Sequence, residues 1–188
     1  MITTICRISY PNLVKPKANL SGAMKYSCSL LIPKSDTAGV AEIEKAIQTA
    51  VEKGKSDLWK GKVPKFRYSP LRDGDEELKS GEKTDRSYEG HYFLNCSSND
   101  APGLVDRKAK PAFDDDLIYA GCYVRADINA FPYSNGGNNG VGWGLNNVMF
   151  WADGERLDGR QRAEDAFGGF ATDNDDGHGQ ASETDELL

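Results

Sequence analysis

Apolar and polar residues alternate along much of this chain, and that alternation predicts strands more often than helices. Thr3 to Ser9 is rich in β-formers and runs into Tyr10-Pro11-Asn12, a turn signal. Lys25 to Ile32 places Tyr26, Cys28, Leu30 and Ile32 on one face, and Pro33 ends the run. One helix interrupts the strands. Val40, Ile43, Ile47, Ala50 and Val51 fall on a single stripe, with Ser35, Asp36 and Thr37 as candidate N-caps and Gly54 as the stop. Residues 55–89 read as an irregular excursion punctuated by Pro64, Pro70, Gly74 and Gly81. His91 to Cys96 is a short strand, Ala101-Pro102-Gly103 a turn, and Asp114-Asp115-Asp116 precedes a further turn or short strand. Two long strands follow, Gly121 to Phe131 and Val141 to Trp151, joined by a hairpin loop of Ser, Asn and Gly over residues 134–139. Ala163 to Phe167 is read as a short final helix. About five strands with one inserted helix predict a mainly β fold, an OB-like antiparallel barrel in preference to a larger sandwich.

The strand Gly121 to Phe131 divides cleanly by parity. Cys122, Val124, Ala126, Ile128 and Ala130 form a small apolar face suited to a core. Tyr123, Arg125, Asp127, Asn129 and Phe131 form the other, which Tyr133 continues. Rings and a guanidinium on an open strand face are what stacking on unpaired bases requires. The alternative is that Tyr123 and Phe131 lie beneath the excursion as a second small core. Across the hairpin, Val141, Trp143, Leu145, Asn147, Met149 and Trp151 share one parity, while Gly140, Gly142 and Gly144 strip side chains from the other. Those glycines suit a bend that closes a barrel. Trp143 is a further candidate ring, with the core as its alternative place.

Charge sharpens this picture. Residues 1–70 hold 12 Lys and Arg against 5 Asp and Glu, whereas residues 171–188 hold six acids and no Lys or Arg. The net charge of −6 therefore equals the charge of the tail. That tail, ATDNDDGHGQASETDELL, lacks aromatic residues and periodicity. It cannot offset an ordering cost of about 1–2 kcal/mol per residue, so it reads as a disordered acidic tail appended to a 1–170 nucleic-acid-binding domain. A flexible chain of this length reaches roughly 23 Å, enough to fold back over its own domain. The tail then acts either as a solubilising segment or as a phosphate mimic competing for a basic groove. Within the excursion, Lys53, Lys55, Lys60, Lys62, Lys65 and Arg67 face one acid, Asp57, with Trp59, Phe66 and Tyr68 interleaved. Such clusters neutralise phosphates while rings engage bases.

The chemistry of enzymes is not legible. A chain of 188 residues suggests one domain, its apolar runs are too short to span a membrane, and the Met1-Ile2-Thr3-Thr4 start lacks the features of a secretory signal. Four separated cysteines and two histidines favour buried free thiols over a zinc site. Asp73-Gly74-Asp75-Glu76-Glu77 hints at a calcium loop, but Leu78 and Thr84 stand where Gly and Glu are needed. Gly81-Glu82-Lys83-Thr84 lacks the Gly-Lys pair of a phosphate loop, and Gly136 to Gly144 is wrongly placed for a dinucleotide fold. Asp114-Asp115-Asp116 could hold Mg²⁺ in a nuclease, but consecutive strand residues face opposite sides and a solvated turn is the simpler reading. The expectation is a non-enzymatic protein without a cofactor.

Several short motifs together resemble a phage family of single-stranded DNA-binding proteins. They are Arg7-Ile8-Ser9-Tyr10-Pro11-Asn12-Leu13, Lys25-Tyr26-Ser27 leading to Leu31-Ile32-Pro33-Lys34-Ser35-Asp36, and Asp73-Gly74-Asp75-Glu76. Tyr119-Ala120-Gly121-Cys122-Tyr123-Val124, Gly140-Val141, Gly144-Leu145-Asn146-Asn147, Asp153-Gly154-Glu155 and Phe167 continue the pattern, which spans about residues 5–170. The resemblance implies an OB-fold core that binds single-stranded DNA with little sequence preference during phage replication or recombination, in the cytoplasm of the infected host. The broader group, including the T7-type protein, ends in an acidic tail that contacts replication or recombination partners and commonly finishes with an aromatic residue. This chain finishes Leu187-Leu188 instead. The candidate base contacts are Tyr123, Arg125, Phe131, Tyr133 and Trp143, and the candidate backbone contacts are Arg7, Lys25, Lys60, Lys62, Lys65 and Arg67. The candidate partner contacts in the tail are Asp173, Asp175, Asp176, Glu183, Asp185, Glu186, Leu187 and Leu188. Two other readings compete: a phage scaffold or adaptor whose aromatic face is a protein interface, and an RNA-binding OB module.

Overall fold

Strands β1 (Cys6–Ala18) and β2 (Met24–Pro33) form a long antiparallel hairpin, and helix α1 (Thr37–Asp57) follows. The computed structural model describes residues 1–19, 21–112, 116–157, 159 and 166. The acidic tail, Asp114-Asp115 and nearly all of the expected helix at Ala163 to Phe167 lie outside the described residues. Two short elements, β3 (Arg72–Asp73) and helix α2 (Gly74–Ser80), precede β4 (His91–Ser98) and β5 (Gly103–Val105). The long hairpin of β6 (Tyr123–Asn135) and β7 (Asn138–Ala152) completes the sheet.

The sheet closes into a ring. Antiparallel pairings join β2 to β1, β1 to β6, β6 to β7 and β2 to β4, and a parallel pairing of β4 with β7 returns the path to its start. Two of these seams are short, Cys6–Val124 with Arg7–Tyr123 and Cys96–Trp143 with Ser97–Gly144, so the barrel is only partly closed. A five-stranded, partly open barrel of this kind is OB-like, as the strand pattern predicts. Its interior is filled by Cys28, Leu30 and Ile32 of β2 and Val124, Ala126 and Ile128 of β6, on the expected parities, together with Leu94 and Cys96 of β4. All four cysteines are buried and free, and burial pushes the Cys6 thiol up to about 12, which leaves it inert near neutrality.

Three local expectations are corrected. Tyr10-Pro11-Asn12 is not a strand end: β1 continues to Ala18 through register shifts between Ser9 and Asn12 and between Asn12 and Lys17. Gly54 does not stop α1, which runs to Asp57; a Cβ there would lie 2.6 Å from the Trp59 ring and 2.7 Å from Pro132, so the glycine admits close packing. The excursion is not irregular throughout. Asp73 accepts hydrogen bonds from the Asp75 and Glu76 amides and caps α2, while Gly81 ends it in a left-handed conformation. The apparent calcium loop is thus a helix start, held to β2 by Lys34, whose Nζ donates to Asp73 at 2.6 Å and to Asp75 at 2.8 Å.

Candidate nucleic-acid interface

The outer face of the β6–β7 hairpin is a platform built by deletion of side chains. Asn129, Phe131 and Tyr133 of β6 lie opposite Gly144, Gly142 and Gly140 of β7. A Cβ on Gly142 would sit 2.9 Å from the Phe131 ring, one on Gly140 2.7 Å from the Tyr133 hydroxyl, and one on Gly144 2.6 Å from the Asn129 amide. The three side chains therefore lie flat across the neighbouring strand, in space that only glycine leaves open. Phe131 remains 41% exposed, so the platform presents a ring to solvent. The inner side of the same hairpin is the covered one: Ala130 and Val141 pack with Ala50, Trp59 and Phe66. The excursion thus covers the opposite face, and Tyr123 and Phe131 do not form a second core beneath it.

A groove floor leads away from this platform. In successive register, Asn12 of β1 pairs with Ser27 of β2, Ser27 with Ser97 of β4, Ser97 with Gly144 of β7, and Gly144 with Asn129 of β6. Each stands next to interior residues and so faces outward. The row crosses all five ring strands with nothing larger than an amide, which leaves room for a chain to lie across the strands. Ser29 and Asn95, hydrogen-bonded at 2.8 Å, form a parallel row beside it. Lys25, hydrogen-bonded to Asn99, stands on the other side. At the hairpin tip, Lys65, Phe66 and Arg67 line a surface hollow of about 480 Å³ with residues 136–139.

The remaining candidates separate by environment. Trp143 is corrected to the core: it is 3% exposed, and its indole N–H donates to the Pro70 carbonyl at 2.9 Å, so no base can stack on it. Arg7 neighbours Tyr123 in register, but its guanidinium donates to the carbonyls of Gly121 at 3.0 Å and Glu155 at 2.6 Å, where it ties loops together. Lys60 and Lys62 are exposed on the loop after α1, anchored by Trp59, whose ring meets Phe66 at 5.4 Å. Tyr123 is 39% exposed at the far end of β6. Arg125 lies 5.1 Å from the Trp151 ring, and Arg107 lies 4.6 Å from the same ring. Sequence parity misses Trp151 because β7 carries extra residues at Asn146 and at Trp151 itself: Asp127 pairs with Asn147 but Ile128 with Leu145, and Val124 pairs with Phe150 but Tyr123 with Ala152. Past the first bulge Val148 turns inward and Asn147, Met149 and Trp151 do not continue the Trp143 face. Arg107 leaves no sequence signal beyond its place in Arg107-Lys108-Ala109-Lys110. Among the described residues, no group of three or more His, Cys, Asp and Glu is placed to hold a metal, and no helix is long and apolar enough to cross a membrane.

Comparison with known proteins places this architecture. The family described as Enterobacter phage Enc34 ssDNA-binding protein matches residues 1–178. The chain belongs to that family. The p50 protein of Acyrthosiphon pisum secondary endosymbiont phage 1 is 32% identical over 164 residues, which are 81% of this chain and 83% of that one. Among solved structures, the bacteriophage Enc34 single-stranded DNA-binding protein in complex with ssDNA superposes with a TM-score of 0.67 at 24% identity, over 82% of this chain and 87% of that one. The gp2.5 single-stranded DNA-binding protein of bacteriophage T7 superposes with a TM-score of 0.59 at 18% identity, over 93% and 95%. The last two likenesses are of fold, and the Enc34-like barrel is the one described above.

Proposed function

We propose that this protein binds and protects single-stranded DNA without sequence preference during phage replication or recombination, inside the host cell and without catalysis. The observation that carries the reading is the Phe131–Tyr133 platform laid over Gly142 and Gly140 at one end of a side-chain-poor groove. Every base has a π-face, so a ring platform binds without reading sequence. Membership of the Enc34 family and the ssDNA complex solved for the Enc34 protein support the same function. Phosphates along the groove would meet Lys25 on one side and Lys65 and Arg67 near the hairpin tip, with Arg107 and Arg125 farther along β6–β7.

The test is fluorescence anisotropy of a labelled 30-nucleotide strand, with matching duplex and RNA strands as competitors. Tight binding is expected, weakening steeply with salt as counterions are released, and displaced poorly by duplex. Equal competition by RNA would favour the RNA-binding reading, because the 2′-hydroxyl is what separates the two ligands. Absence of binding at low salt would leave the exposed rings as a protein interface, the adaptor reading.

The domain of residues 1–170 does the binding, and the acidic tail of residues 171–188 competes for the groove and recruits partner proteins. The six tail acids against the basic N-terminal part support this division. Deleting residues 171–188 is expected to tighten DNA binding at 50 mM salt more than at 200 mM, because a competing polyanion is screened as salt rises. An equal affinity of both forms across that range would count against the competition.

A further inference from the structure

Tyr10 adopts a backbone that its side chain does not suit. Its φ is +48°, in the left-handed region that a bulky residue enters at a cost, at the register shift in β1. Glycine or asparagine would adopt that conformation more cheaply. Internal packing does not account for the ring, which is 58% exposed. Its neighbour is the Lys83 ammonium, 5.6 Å from the Tyr10 ring centroid, 4.0 Å from that of Tyr88 and 5.0 Å from that of Phe93. Among the described residues Lys83 has no carboxylate within ion-pair distance, so rings rather than acids hold this cation. Asn12, whose side chain donates to the Tyr10 carbonyl at 3.1 Å, begins the row of small residues that ends beside Phe131's platform. Followed round the barrel surface, the row covers four strand spacings of about 4.8 Å, a path of roughly 19 Å.

We propose that Tyr10 is a second base-stacking residue, which receives a base of the single strand at the β1 end of the groove, with the Lys83 cation beside it. This rests on the single-stranded DNA reading above. The two exposed rings, Tyr10 and Phe131, then clamp one strand at opposite ends of a floor that makes few contacts of its own. At about 3.4 Å per stacked nucleotide the path covers about six nucleotides, within the range of about 4–16 known for a single OB fold.

Tyr10→Asn removes the ring and suits the left-handed backbone better than tyrosine, so it separates binding from folding. The full chain carrying Tyr10→Asn is expected to melt no lower than wild type and to bind a 30-nucleotide strand about tenfold more weakly. Tyr10→Phe should bind within about twofold of wild type, because stacking uses the ring and not the hydroxyl. In parallel, ultraviolet irradiation of wild type on oligo(dT) should give an adduct on the peptide containing Tyr10. Unchanged affinity in a folded Tyr10→Asn protein overturns the proposal. If that variant does not fold, the adduct decides, and its absence from Tyr10 overturns the proposal. A wild-type protein that leaves the strand unbound overturns the groove reading as well, which keeps the two failures distinct.

Discussion

Replacing Phe131 and Tyr133 together with alanine is expected to abolish most of the affinity for single-stranded DNA while leaving the barrel folded. Each base–ring stack contributes about 1–3 kcal/mol by alanine substitution, so losing two should weaken binding by at least about thirtyfold. The fold should tolerate the change because both rings lie on the outer side of β6, away from the interior residues Ile128 and Ala130. Melting temperature and anisotropy, measured on the same preparation, separate the two effects. Gly142→Ala offers a second route to the same result. Its new Cβ would lie 2.9 Å from the Phe131 ring, so the ring must lift from the strand, although no aromatic atom has been removed. If Phe131→Ala/Tyr133→Ala and Gly142→Ala all bind as wild type does, bases do not stack on this hairpin.

How much of this could be read from the chain depends on whether alternation runs unbroken. Along β6 it does, and the partition of Val124, Ala126 and Ile128 from Tyr123, Arg125 and Phe131 is the partition found. Along β7 two additional residues, Asn146 and Trp151, break the alternation, and the first reverses the side chains from Asn147 to Phe150. A period-two reading carried through these bulges assigns Asn147, Met149 and Trp151 to the Trp143 face and hides the Arg107–Trp151–Arg125 contact. The glycines at 140, 142 and 144 were visible, but their reason was not. They suggest barrel closure until the rings opposite them are placed by register. Helix α2 spans only seven residues, too few for periodicity to emerge, and its Asp73 cap reads as a fragment of a metal loop. At Tyr10-Pro11-Asn12 the turn signal marks a register shift with a left-handed Tyr10, but β2 keeps pairing beyond it, so the strand outlasts its own punctuation.

Trp143→Ala should be the most destabilising single substitution among the candidate binding residues, and it should do little to DNA affinity in whatever fraction remains folded. The indole is enclosed by the main core, with Leu145 and Val148 from its own strand and Cys96 in register on β4. Removing a buried Trp side chain costs about 3–5 kcal/mol through lost transfer energy and the cavity left behind. Its N–H also satisfies the Pro70 carbonyl, so the same change releases the segment that leads into β3. That segment precedes Arg72 and Asp73, and Asp73 holds Lys34, so loosening should spread from the barrel end to α2. A stacking tryptophan behaves in the opposite way, with little loss of stability and a large loss of affinity. Denaturant unfolding beside anisotropy below the transition therefore decides between the two roles. Trp143→Phe, which keeps the apolar bulk and loses the N–H donor, should recover much of the stability and bind DNA as wild type does. A folded Trp143→Phe protein with strongly weakened binding would instead return the indole to the groove.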